Sequence, residues 1–478
     1  MAARTAMEQI GGRVPSLVVV FMSAIRYAQE EVLRGIRLEI GSDVPLVGAS
    51  SAGQLVNSTY LPKSSAVTVL VWHSDTYRMA ISCAQSQGNL VELGRSLGDS
   101  LQANIGENDR HSAVLLFADG LMGNQQDIVE GLYHALGPEV PIVGAAAADD
   151  RTLTGTFVYC QDRVLSHGAV GVWITGPIPP RVVTSHGWMP LGKPYIVTQC
   201  DGPVIHQIDG RPAMDVVREA LGYEGARLNT ERLSTVALTH PIGILHQDNL
   251  IVRHILGSPD GQSILLFSPV PVYSAVRMLN GTHESLMHAV DTVMAALSKP
   301  FSEGTKPSTA LIFSCMAREG VYGDRTFEEA QRVHSMAPEL VTMGAYGYGE
   351  FARIHGLLGY HNATITALEL FPLCGKFGLW ITSLWHYMPD MSREGRGGGV
   401  CPDCSGRGVA CRPGPNSGAR HRFFCQTMKI GVRGPCGASG LRRSRPSSAH
   451  APDVAGEFGP RPSPTLRSGP VRSACAFF

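Results

Sequence analysis

The sequence predicts a mixed α/β (α+β) fold built of repeated strand–helix–strand–strand units, followed by a disordered C-terminal tail. Three observations predict it. A short apolar run ending in Phe recurs three times: Leu17–Phe21, Ala113–Phe117 and Ala310–Phe313. Each is followed by a second apolar run carrying a glycine, at Gly48, Gly144 and Gly344. The Phe-to-Gly intervals are 27, 27 and 31 residues, room for one helix and two short turns.

The elements follow from the local patterns. Short apolar runs with β-branched residues suit buried strands. Between them, Val32, Ile36 and Ile40 form one helical stripe, and Ile128, Leu132 and Leu136 another. A third strand follows each glycine: Ala66–Trp72, Gly155–Cys160 with Ala169–Ile174, and Thr364–Leu370. Longer amphipathic helices precede the second and third copies, along Leu90, Leu93, Leu97 and Leu101, and along Leu286, Val290, Val293 and Leu297. Residues 181–209 read as strands around His186-Gly187-Trp188. A short helix follows, with Pro212 near its start and Gly222 at its end. The polar stretch 223–245 is taken as a linker. The expected organisation is an N-terminal extension (1–14), a first domain (15–222), the linker, a second domain (246–372), an apolar extension (373–390) and the tail (391–478).

Charge divides the 478 residues in two. Lys+Arg and Asp+Glu each number 40. Residues 391–478 hold 14 basic and 4 acidic residues, so the tail is net +10 and the rest net −10. The tail also holds 15 Gly and 10 Pro without a hydrophobic period, a composition that cannot offset chain entropy by burial. Its arginines lack regularly interleaved aromatics, so no nucleic-acid partner is expected.

Five cysteines are scattered through residues 1–390, which suggests a reducing compartment and a cytoplasmic location. No apolar run is long enough for a membrane span. Ser16–Ile25 resembles a signal-peptide core, but the same kind of strand recurs twice downstream. In the tail, Cys401 and Cys404 resemble half of a zinc knuckle. Cys411 and Cys425 would complete four ligands only at unfamiliar spacings, so no metal and no cofactor are expected.

Several motifs together make the chain similar to FIST-domain proteins, with both the amino-terminal and carboxy-terminal regions. The first region rests on Val44–Gly53, Pro141–Asp150, His186–Gly192 with Val197-Thr198, and Ile208–Ala213. The second rests on Cys315–Arg318, Gly344–Glu350 and His361–Thr364. The resemblance covers roughly residues 15–370. It implies a sensory input module in signal transduction that binds small ligands such as amino acids. Bacterial relatives are often fused to kinases, cyclases or chemotaxis domains, and eukaryotic ones to an F-box. Here about 15 residues precede the first strand, so no F-box is expected in this stretch, and the composition after residue 390 does not lead one to expect a helix-rich output module there.

The candidate ligand site gathers Cys315, Arg318, Tyr346, Tyr348, Glu350, His361 and Asn362. Arg318 can grip a carboxylate in bidentate fashion, and Glu350 can hold an amino group, which together suit a zwitterionic amino acid. The tyrosines would form a lid. Gly48, Gly144, Gly344, Gly347 and Gly349 are read as backbone turn glycines. Each assignment competes with a structural one: an Arg–Glu ion pair, a strand-to-strand turn at Glu350, a turn at His361-Asn362. His186 with Trp188 reads as a packed pair, and Asp119, Asp149 and Asp150 as caps or turn residues. The expected function is sensory binding of a small ligand, with a protein partner for output. The alternatives are an interaction scaffold like the substrate-receptor part of an F-box adaptor, and a hydrolase using Cys315 with His361 as base.

Overall fold

The computed structural model describes residues 2–62, 66–104, 106, 111–223, 228–246, 249–301, 309–354 and 356–370, and the backbone of 380–385. The expectations for the tail, its cysteines and most of the apolar extension lie outside these residues.

All three repeats are present. Strand Leu17–Met22 runs parallel to Leu46–Ser50 through helix Gln29–Ile40, and antiparallel to Ala66–Trp72. Strand His111–Ala118 is parallel to Ile142–Ala146 through helix Gln125–Leu136, and antiparallel to Gly168–Gly176. Strand Thr309–Cys315 is parallel to Val341–Gly347 through helices Met316–Tyr322 and Phe327–Met336, and antiparallel to Ile365–Leu370. Preceding helices span Ala2–Gln9, Leu90–Gln102 and His283–Leu297. The last is capped by Thr282 and Ser285, each side chain bonding the other's backbone N–H. Strand Trp380–Trp385 pairs with Ala66–Trp72.

The repeats interleave. After its glycine strand, each sends a hairpin to the sheet of another. Gly53–Val56 and Thr59–Pro62 join the third repeat's sheet, through Gly53–Val56 beside Val341–Gly347. Val158–Cys160 and Arg163–Leu165 join the first, beside Leu46–Ser50. Gly349–Arg353 and Tyr360–His361 join the second, beside Ile142–Ala146. This cyclic exchange places strands from both expected stretches, 15–222 and 246–372, in shared sheets. Inside it, Phe21, Phe117 and Phe313 meet edge to face, with ring centroids 5.6, 5.8 and 6.4 Å apart.

A fourth sheet stands apart in sequence, between Met189 and Asn280. Its core is Val197, Ile205, Ile208, Met214, Val217 and neighbours, packed with helix Ala213–Ala220. The expected linker, 223–245, contributes helix Thr230–Val236 and nearly all of strand Ile242–His246 to this unit. Its apolar residues were too sparse to show in a polar stretch.

The repeated glycines are a correction. Gly48, Gly144 and Gly344 lie within buried strands, not turns. A Cβ at each would meet the carbonyl oxygen of Val20, Leu116 or Ile312 at 2.0, 1.8 or 2.2 Å. The glycine lets the two parallel strands of each repeat approach. Gly347 and Gly349 do flank a bend, at Tyr348. There a Cβ would meet Ala146 O at 2.7 Å and the Tyr360 hydroxyl at 2.2 Å.

Candidate functional site

The C-terminal end of the third repeat's first strand carries two distinct arrangements: a sealed ion-pair network and an open cavity. The sequence-predicted residues divide between them.

Arg318 lies in the network, with no solvent exposure. Its Nε and Nη2 donate to Glu329 Oε1 at 3.0 and 2.8 Å. Nη2 also donates to Leu286 O at 3.0 Å and Tyr322 OH at 2.7 Å, and Nη1 to His186 O at 3.3 Å. Glu329 Oε2 accepts from Ser314 Oγ at 3.0 Å and from Tyr346 OH at 2.5 Å. Burial alone would depress the guanidinium's pKa, but Tyr322 and Glu329 outweigh it and hold the group above its usual value. The hydrogen bonds of Arg318 and Tyr346 thus go to groups of the chain itself, inside the protein. Glu329, the counter-ion, escaped sequence analysis because its helix carries the acidic residues of an ordinary solvated face. Its spacing of four from Val333 was the available signal.

Glu350 also lies inside, fully buried. Its Oε2 accepts from Thr364 N at 3.2 Å and Thr364 Oγ1 at 2.7 Å, and Oε1 has no hydrogen-bond partner among the described atoms. Burial pushes its carboxyl up to about 8, against weaker opposing effects of Thr364 and Arg318. Burial thus works against the anionic form expected to hold an ammonium group. Beside it, burial and the Glu350 charge push the Cys315 thiol well above its ordinary value, the opposite of an activated nucleophile. His361 is the register partner of Glu350. Burial, with Arg253 and His186 nearby, pushes its imidazole down to about 4.

The cavity, of about 160 Å³, lies where the interleaved repeats meet the fourth-sheet unit. Cys315, Met316 and Ala317 line it from the third repeat, with Tyr348 and Asn362 beside them. The second repeat contributes Arg151 and Leu153; the fourth-sheet unit contributes Leu238, His254, Leu256 and Phe267. The candidates Cys315, Tyr348 and Asn362 are therefore brought together, and Arg318, Tyr346, Glu350 and His361 are not among the lining residues.

The walls are fixed by hydrogen bonds. Tyr348 OH donates to Asp149, whose carboxylate also accepts from Thr152 N, Leu153 N and Thr154 N at 2.9, 3.1 and 2.8 Å. Burial would raise the Asp149 pKa, but these bonds outweigh it and hold it below its usual value. This is the turn role expected of Asp149, and it sets the Arg151–Leu153 loop, both residues at positive φ. Asn362 accepts from Ser268 Oγ at 3.3 Å and donates to Tyr348 O at 3.4 Å. The Phe267 ring lies 5.5 Å from that of Tyr348. Arg151, the charged side chain at the cavity, pairs with Glu319 at 2.6 Å. Burial, with Arg151 nearby, pushes His254 down to about 4, and its Nδ1 is buried without a partner.

The pair His186 and Trp188 packs as expected. Trp188 N donates to His186 Nδ1 at 3.0 Å, and Trp188 Nε1 to Ala363 O at 2.7 Å. Asp119 accepts from His167 N at 2.6 Å, Leu121 N at 3.0 Å and the Thr156 hydroxyl. No group of three or more metal-ligating side chains occurs among the described residues. Nor is any described helix long and apolar enough to cross a membrane.

Residues 16–211 match the FIST N domain and residues 213–353 the FIST C domain. The chain is 25% identical over 373 residues to an uncharacterized protein of Mycobacterium tuberculosis, covering 76% of this chain and 93% of that protein. It is 26% identical over 381 residues to one of Mycobacterium bovis, covering 76% and 92%. An uncharacterized protein of Methanocaldococcus jannaschii is 24% identical over 251 residues, covering 48% of this chain and 47% of that protein. The two domain matches, continuous through the interleaved repeats and the fourth sheet, establish that the chain belongs to the FIST family, whose domains are associated with sensing in signal transduction.

Proposed function

We propose that the protein senses a small molecule held in the cavity between the interleaved repeats and the fourth-sheet unit. The observation that carries this reading is the lining. Leu153, Leu238, Leu256, Phe267, Met316 and Ala317 supply apolar surface, and Arg151, His254 and Asn362 supply a few convergent polar groups. A volume near 160 Å³ suits a ligand with a body about the size of a benzene ring. The favoured ligand is therefore small and mainly apolar, with one polar or anionic group directed to Arg151 and Asn362. A zwitterion held between Arg318 and Glu350 is not favoured, since both are fully buried and neither lines the cavity.

Occupancy would bear on both sides of the junction, because the walls come from both. That is how a binding event here can change a surface read by a protein partner. The reading is tested by a thermal-shift screen of the full chain against small carboxylic acids, phenols and amino acids. A dose-dependent rise for one class supports it, provided the rise is lost when Leu256→Trp narrows the cavity. Leu256 is 37% exposed, so the larger side chain can be accommodated without disturbing the fold.

A further inference from the structure

Two thiols meet where the first and second sheets adjoin, away from the cavity. Cys83 lies in Arg78–Gln85, the outer strand of the second repeat's sheet. Cys160 ends strand Val158–Cys160, in the hairpin that the second repeat sends to the first repeat's sheet. Cys160 is buried in the central core, and Cys83 is half-buried against that core. Both side chains belong to this one core, and the strands that carry them are in contact. Arg163 faces Cys160 across the hairpin, and its Nη1 donates to Cys83 Sγ at 3.6 Å. Its Nη2 donates to Gln85 Oε1 at 3.4 Å.

The other free cysteines of the described residues lack this setting. Cys200 Sγ donates to Val270 O at 3.3 Å, and Cys315 is buried beside Glu350, with no second thiol described next to it. The pair is also asymmetric. The neighbouring Cys160 and, against the effect of burial, the Arg163 charge push the Cys83 thiol down to about 7. The neighbouring Cys83 and burial push the Cys160 thiol up. Cys83 is half-buried rather than sealed, so a small oxidant can reach the sulfur that is more readily ionised.

We propose that Cys83 and Cys160 form a hydroperoxide-responsive dithiol that closes into a disulfide joining the first and second sheets. The Cys83 thiolate attacks one oxygen of the hydroperoxide. The O–O bond breaks, and the leaving oxygen takes a proton and departs as an alcohol, or as water when the oxidant is hydrogen peroxide. Cys83 becomes a sulfenic acid, oxidised by two electrons. The Cys160 sulfur then attacks the Cys83 sulfur, the S–O bond breaks, and hydroxide leaves with the Cys160 proton as water. In total, two thiols and one hydrogen peroxide give one disulfide and two waters. Arg163 is a positioning residue that favours the Cys83 thiolate. In a reducing compartment a small thiol reverses the bond, which makes the link a transient state.

The test uses the full chain, fully reduced and exposed to one equivalent of hydrogen peroxide, then alkylated and mapped by mass spectrometry. The expected product is a Cys83–Cys160 linked peptide, lost in Cys83→Ser and in Cys160→Ala and removed by dithiothreitol. In Arg163→Gln, alkylation of Cys83 at pH 7 is expected to slow several-fold while Cys200 is unaffected. The proposal is overturned if Cys83 remains a free thiol. It is equally overturned if Cys83 passes to the sulfinic acid while Cys160 stays reduced. An unchanged alkylation rate in Arg163→Gln would overturn the role given to Arg163.

Discussion

Arg318 and Glu329 form an ion pair 2.8 Å apart with neither side chain exposed to solvent. The pair ties the helix after the third repeat's first strand to the next helix. Through Leu286 O and His186 O it also reaches the start of the long third-repeat helix and the strand connection before it. Removing one partner leaves the other charged and buried, so Arg318→Ala or Glu329→Gln should lower stability by about 3–5 kcal/mol. The double variant should recover only part of that loss, because Leu286 O, His186 O and Tyr322 OH then lack their donor. Urea unfolding of the single and double variants measures this. A single variant within about 0.5 kcal/mol of wild type would show that the network is not structural.

Gly144 and Gly35 provide opposite tests of what glycine does here. A methyl group at Gly144 would lie 1.8 Å from Leu116 O, so Gly144→Ala must push two parallel strands apart. The expected loss is at least about 1–3 kcal/mol. Gly35 lies in helix Gln29–Ile40 with nothing within 4 Å of its would-be Cβ. Gly35→Ala should therefore stabilise, by about 0.4–1 kcal/mol. Calorimetric melting of the two variants should move in opposite directions, and a shift of the same sign in both would contradict this account.

Glu350 predicts a pH dependence whose sign is fixed. Its carboxyl is raised from an ordinary value of 4.5 to about 8, chiefly by burial. Between those values the folded state binds more protons than the unfolded chain. The resulting stability is fully present below 4.5 and is lost as pH rises to about 8. Glu350→Gln removes this contribution. The difference in unfolding free energy, wild type minus variant, should fall from pH 5 to pH 8. A difference that is flat or rises over that range would mean Glu350 is ionised in the folded protein.

The three repeats were legible because each strand is a local apolar run and each Phe-to-Gly interval is set by one helix. Phe21, Phe117 and Phe313 mark equivalent positions in the sequence and do meet in space. What the sequence could not show is how the repeats exchange hairpins. Asn57 Oδ1 accepts from Thr342 N across 285 residues of chain, and no local period records such a partner. The same holds for the site. Cys315, Tyr348 and Asn362 lie in motifs that stand out, but Leu238, His254, Leu256 and Phe267 come from segments without a distinctive pattern. Arg318 and Glu350 carried the right residue types for an amino-acid site. Their burial, which decides their chemistry, depends on Glu329 and Thr364, residues that resemble ordinary helix and strand positions.

The central claim is that the cavity between the interleaved repeats and the fourth-sheet unit binds a small ligand. The most direct measurement is a titration calorimetry experiment on the full chain with the strongest class from the thermal-shift screen, repeated on Leu256→Trp and on Arg151→Gln. The account predicts saturable one-site binding to the wild type, abolished by Leu256→Trp and weakened about tenfold or more by Arg151→Gln, the equivalent of losing about 1.4 kcal/mol. Binding that is unchanged in both variants, or no binding by any class to well-folded protein, would contradict it.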